Sequence, residues 1–246
     1  MPYDLGPMAL AWMALATFIA GFVRGYSGFG FSALLIAASS LVTNPLNFVA
    51  VVVILETVMS LQAAKGAGPH VDWKRVWWLL GGAAIGLPLG LWILTGVSED
   101  TARAVVSGYV LLMCAVLLLG WRLRAEVTGA PNGVAGVISG LANAPGMGGL
   151  PVAAFFAAQP MPANVFRATL IAYFPLLDIY SAPLYWYAGL VSWDTLWAAL
   201  LALPVTLFAN WLGGRHFFGS DPQEFRRFAI VLLAGLAVLG LGKALI

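Results

Sequence analysis

Residues 21-GFVRGYSGFGFSALLIAASS-40 hold four glycines in ten positions, followed by an apolar stretch too short to cross a membrane. A second stretch, 136-GVISGLANAPGMGGLP-151, repeats the pattern. Gly21-x-x-x-Gly25 matches Gly136-x-x-x-Gly140, and Gly28-x-Gly30 matches Gly146-x-Gly148 with three extra residues in the second copy. Further along, Pro45-x-Asn47 matches Pro162-x-Asn164, and Val71-Asp72-Trp73 matches Val191-Ser192-Trp193. Ser98 to Arg103 matches Asp221 to Arg226. The order is kept and the offset drifts only from about 115 to 123 residues, as an internal duplication would give. The halves are residues 1–123 and 124–246 of one membrane domain.

Around these stretches the chain is too apolar for a soluble fold. Hydrophobic residues make up 61% and charged residues 9%, against about 25% charged in soluble domains. Disorder is excluded by the same deficit. A net charge of +2 gives no footing for nucleic-acid binding. The single Cys114 cannot form an intrachain disulfide, and no Cys/His cluster points to a metal. The first apolar run lacks a basic start and a small-residue cleavage site and reads as retained.

Ten apolar runs follow: 7–23, 29–42, 46–64, 76–95 and 104–121 in the first half, then 133–142, 148–158, 166–189, 195–213 and 228–245 in the second. A perpendicular crossing needs about 20 residues, so 29–42, 133–142 and 148–158 read as half-helices or re-entrant segments. Non-helical backbone at membrane depth requires burial in protein or a cavity. With an odd number of net crossings per half, Lys65, Lys74, Arg75, Arg122, Arg124, Arg215, Arg226 and Arg227 share one side, and Arg103 and Lys243 take the other. The positive-inside rule makes the first side cytoplasmic, both termini periplasmic and the two repeats inverted. The expected fold is an all-α polytopic membrane protein of two inverted repeats, about five segments each, with broken short helices at the repeat starts. Trp73, Trp77, Trp78, Trp121 and Trp193 stand near run ends as interfacial anchors.

Matched broken segments in an inverted pair point to a transporter site. A helix that starts at mid-depth exposes unpaired N–H groups and the positive end of its dipole, and two such ends suit an anion. Ser27, Ser32 and Asn143 add donors. The competing reading is that these glycines serve only close helix packing. Ionisable residues inside the membrane mark function by default. Arg24 and Arg167 are candidates to neutralise an anion or to snorkel to the interface. Glu56 and Asp178 are candidates to carry a proton or to pair with an arginine. Position 173, a tyrosine, stands opposite Glu56 in the second half, so the acid is not duplicated. Tyr180, Tyr185, Trp186 and Tyr187 form an interfacial belt or a cavity mouth. GYSGFGF has the glycine density of a phosphate loop, but no Lys-Ser/Thr follows. No catalytic motif is present, so an enzyme and a cofactor are not expected.

The segment 20–45, AGFVRGYSGFGFSALLIAASSLVTNP, resembles the opening signature of the sulfite exporter TauE/SafE (TSUP) family, and residues 136–151 resemble its second copy. The likeness covers nearly the whole chain. It implies secondary transport of a small sulfur-containing anion (sulfite, sulfoacetate or another organosulfonate) across the bacterial inner membrane. It also implies that Gly25, Ser27, Gly28 and Gly30 correspond to one break, and Asn143, Pro145, Gly146 and Gly148 to the other. Phe29 and Phe31 alternate with glycine where many members carry a glycine run. The expected mechanism is alternating access, driven by the membrane potential or by coupled H⁺ or Na⁺. The rivals are an anion channel and a carrier of small non-sulfur carboxylates.

Overall fold

A computed structural model describes residues 2–63, 68–119 and 122–216. The last apolar run, 228–245, lies outside the described residues, as do Lys65, Trp121, Arg226, Arg227 and Lys243. The described part is helical: α1 (Pro7–Ser27), α2 (Phe31–Ser39), α3 (Val49–Ala63), α4 (Trp73–Leu94), α5 (Glu99–Leu119), α6 (Ala130–Asn143), α7 (Gly149–Ala157), α8 (Ala163–Tyr187) and α9 (Trp193–His216). Six segments among the described residues are long and apolar enough to cross a membrane. The three short runs become α2 with nine residues, α6 with 14 and α7 with nine.

Local chemistry sets the ends of these helices. Pro7 opens α1, where its missing N–H is no loss. Gly28 closes it in the left-handed region, at φ 83°, and its N–H donates to the Arg24 carbonyl. Gly30, at φ 93°, then caps α2. Two left-handed residues two positions apart fold the chain back on itself, and glycine takes that conformation without strain. The second break reverses through Gly146, at φ 77°. Asp72 caps α4 by accepting from the Arg75 N–H.

Two glycine seams hold the bundle. Against α9, α1 presents Gly21 and Gly25, and α9 presents Gly213; a Cβ on Gly25 would overlap the Asn210 carbonyl, and one on Gly213 the Phe22 carbonyl. Against α6, α4 presents Gly82, Gly86 and Gly90, and α6 answers with Gly136 and Gly140. Small residues let the backbones touch, which in lipid replaces the hydrophobic drive available in water. Between these pairs α3 packs directly on α8, and α5 lies against α2 and α7.

Side-chain contacts sort the loops into two ends. Tyr3 Oη donates to the Asn47 carbonyl at 2.7 Å and lies 2.8 Å from Thr195 Oγ1. Arg103 Nε donates to the Ser40 carbonyl at 3.0 Å on that end. At the other end Arg75 is buried on Asp72, Gln159 and Glu126, each at 2.8 Å, and the Leu123 N–H donates to the Ala158 carbonyl. The last turn of α2 therefore meets one end and the last turn of α7 meets the other. Outward faces carry bare Trp77, Trp92, Trp186, Trp193 and Trp197, as a lipid-facing surface requires. The aromatic group near residue 185 is split: Trp186 and Tyr187 face out, while Tyr185 is fully buried.

Candidate functional site

The first break puts Arg24 inside the bundle. Only 4% of Arg24 and 8% of Glu56 is exposed. Arg24 Nη1 donates to Glu56 Oε1 at 2.9 Å, and Nη2 donates to Ser60 Oγ at 2.6 Å. The guanidinium also lies over the Phe174 ring, 5.3 Å from its centroid. Arg24 is thus held by partners inside the bundle.

Glu56 has a second set of donors. Ser32, in the first turn of α2, gives it both its backbone N–H and its hydroxyl. The positive end of the short helix is occupied by a carboxylate of the protein itself. On the next residue, Thr57 Oγ1 donates to Asp178 Oδ2 at 3.0 Å. Asp178 is buried and lies within the electrostatic reach of both Glu56 and Arg24. One guanidinium and two carboxylates, from α1, α3 and α8, meet in one enclosed centre.

The second break has a neutral centre at the corresponding place. The offset of 115 that pairs Gly21 with Gly136 pairs Arg24 with Ser139, and the offset of 117 that pairs Pro45 with Pro162 pairs Glu56 with Tyr173. Tyr173 Oη lies 2.8 Å from Ser139 Oγ, and Ser139 Oγ donates to the Gly148 carbonyl at 2.7 Å. Because the serine proton is spent on Gly148, the tyrosine is the donor of this pair. Gly148 caps α7, so the hydroxyl chain fixes the start of the second short helix.

The remaining residues expected from the sequence fall close to these two centres. Arg167 Nη2 donates to the Gly25 carbonyl at 3.2 Å, in the last turn of α1, where a cation complements the helix dipole. A Cβ on Gly28 would touch the Arg167 side chain at 3.4 Å, and one on Gly30 would meet Val23 at 3.6 Å. Gly25 serves the seam with α9, so the packing reading accounts for its lack of a side chain. Ser27 ends α1. Asn143 and Pro145 are buried, and Tyr185 Oη donates to the Asn143 carbonyl. Asn143 Nδ2 is buried with no acceptor among the described residues. Gly146 packs against Val49 and Ile36, and Gly148 against Asn143 and Ser139. Phe174 joins the two breaks: its ring lies beneath Arg24 on one side, and a Cβ on Gly149 would come within 3.1 Å of it on the other.

Ser60, Thr57, Ser139, Tyr173 and Phe174 were not singled out from the sequence as site residues. Ser139 and Tyr173 had a usable signal, since the offsets that align the two glycine-rich stretches and Pro45 with Pro162 put them opposite Arg24 and Glu56. Thr57 and Ser60 follow Glu56 on the same helix, a pattern with no meaning until Arg24 and Asp178 are known to face it.

A lipid-facing helical bundle with broken helices and a buried charged centre is that of a multi-pass membrane transport protein. The family model described as "Sulfite exporter TauE/SafE" matches residues 13–240. The chain belongs to this family. It is 30% identical over 222 residues to a protein of Cupriavidus necator described as a probable sulfite/organosulfonate exporter TauE, with 85% of each chain covered. No solved structure matches the chain significantly.

Proposed function

We propose that the protein is a secondary transporter that exports a small sulfur-containing anion, sulfite or an organosulfonate, across the bacterial inner membrane by alternating access. The observation that carries this reading is the Arg24 centre: a buried guanidinium beside the start of a half-helix, already holding a carboxylate. A planar guanidinium presents paired donors to two oxygens of one anion, and the Ser32 N–H and hydroxyl supply two more. The name of the Cupriavidus necator relative supports both the substrate class and the direction.

Alternating access and inverted repeats are supported by the packing. Each repeat's first helix seats in a glycine seam on the other repeat's fourth helix, α1 on α9 and α6 on α4. The two short helices run toward opposite ends of the bundle. Rocking one repeat against the other would pivot about α3 and α8 and open the centre to either side in turn. The closed burial of Arg24 favours a carrier over a continuous anion channel. The distribution of basic residues supports a cytoplasmic Arg75 end and an N-terminus outside. A proton is the coupling ion that this centre favours, with Glu56 or Asp178 as its carrier.

A specific observation favours a second reading. The centre holds a carboxylate, so a small carboxylate would fit the same donors. Thermal stabilisation of the purified protein by sulfite, sulfate, thiosulfate, sulfoacetate, isethionate, taurine, acetate and chloride separates the two, because selective ligands stabilise the folded state by mass action. Stabilisation by a sulfonate or sulfite that is lost in Arg24→Met supports the sulfur-anion reading. Stabilisation by acetate alone replaces it with the carboxylate reading.

A further inference from the structure

We infer that Glu56 is a built-in stand-in for the substrate: an incoming oxyanion takes its place on Arg24 and Ser32, and Glu56 picks up one proton as it leaves. This deepens, and rests on, the anion-transport reading above. Three features of the centre lead here. The donors that suit an oxyanion are already engaged, because Arg24 Nη1 is on Glu56 at 2.9 Å and both Ser32 donors are on the same carboxylate. A substrate cannot use them while Glu56 does. Charge makes the exchange balanced. Arg24 faces two carboxylates, Glu56 and Asp178, and a third negative charge in so buried a place would be costly. When a monoanion replaces the charge of Glu56 and a proton from solution binds the displaced carboxylate oxygen, the total charge of the centre is unchanged. The corresponding place in the second repeat lacks this property. Ser139 and Tyr173 are neutral, so the first repeat alone carries the exchange.

The groups facing Glu56 are accounted for on each element packed around it. From α1 comes Arg24, and from α2 comes Ser32. Helix α8 contributes Asp178, with Tyr185 in the electrostatic field of both acids. Helix α9 gives the neutral Asn210, whose Nδ2 donates to Gln62 at 2.7 Å. The turn Pro45–Phe48 before α3 has no titratable residue.

The test uses the full chain in detergent with isethionate, a sulfonate that stays singly charged through the neutral range. Affinity is read from thermal stabilisation at a series of pH values, and proton uptake from a pH indicator in weak buffer. The wild type should take up one proton per bound isethionate and lose affinity about tenfold per pH unit on the alkaline side. Glu56→Gln, which mimics the protonated acid, should bind with no proton uptake and a flat pH profile. Flat wild-type binding without proton uptake overturns the inference and leaves the anion site standing. An unchanged slope in Glu56→Gln also overturns it. Wild-type protein that binds no sulfonate at any pH removes the transport reading itself. The proton count on wild type decides the matter even where Glu56→Gln does not fold.

Discussion

Arg24 Nη1 and Glu56 Oε1 lie 2.9 Å apart inside the bundle, joining α1 and α3 across a break in the chain. Removing one partner of a buried pair leaves an uncompensated charge and costs about 3–5 kcal/mol, whereas replacing both with apolar residues is often tolerated. Arg24→Met should therefore sharply lower the melting temperature in detergent. Arg24→Met with Glu56→Leu should recover part of the loss, Asp178 still lacking its cation, while binding no sulfonate. A double variant as unstable as the single would show that the pair is not what sets the cost.

The neutral pair Ser139 and Tyr173 should behave differently. Tyr173→Phe removes one hydrogen bond to Ser139 and should cost about 1 kcal/mol of stability. Since neither partner is charged, that loss should be the same at each pH tested. A strongly pH-dependent loss would mean that the second centre titrates after all.

The seam between α4 and α6 can be tested with adjacent glycines. A Cβ on Gly86 would overlap the Val137 carbonyl, and one on Gly82 the Gly133 carbonyl, while Gly81 has open space around it. Gly86→Ala should destabilise by about 1–3 kcal/mol through overpacking, and Gly81→Ala should be neutral or slightly stabilising. Equal effects would argue against the close approach of the two helices.

Much of this was legible in the sequence. The two glycine-rich breaks, the runs too short to span, and the isolation of Arg24, Glu56 and Asp178 among apolar residues can be read from residue types and spacing. What Glu56 does could not be read, because its partners come from three other helices and lie 24 to 122 positions away. Gly25 shows the same limit. Its spacing fits either an anion loop or a packing seam, and only the neighbouring Asn210 carbonyl decides. Arg167 was legible as a cation but not as the cap of α1, since that depends on where α8 begins relative to the first break.

The proposed proton exchange at Glu56 has a consequence for energetics. A monoanion leaving alone would gain about 2.3 kcal/mol per 100 mV of inside-negative potential. One that leaves with a proton carries no net charge. In proteoliposomes, an imposed potassium-diffusion potential should change isethionate efflux little in the wild type and accelerate it in Glu56→Gln. Equal acceleration in both would show that no proton accompanies the anion.

The central claim, that the chain carries small sulfur anions by alternating access, is tested most directly by counterflow in proteoliposomes. Vesicles loaded with unlabelled isethionate should accumulate a trace of labelled isethionate or sulfite from outside. That uptake should saturate, be competed by sulfoacetate and vanish in Arg24→Met. Flux that never saturates and shows no counterflow, or no flux of any sulfur anion, would contradict the account.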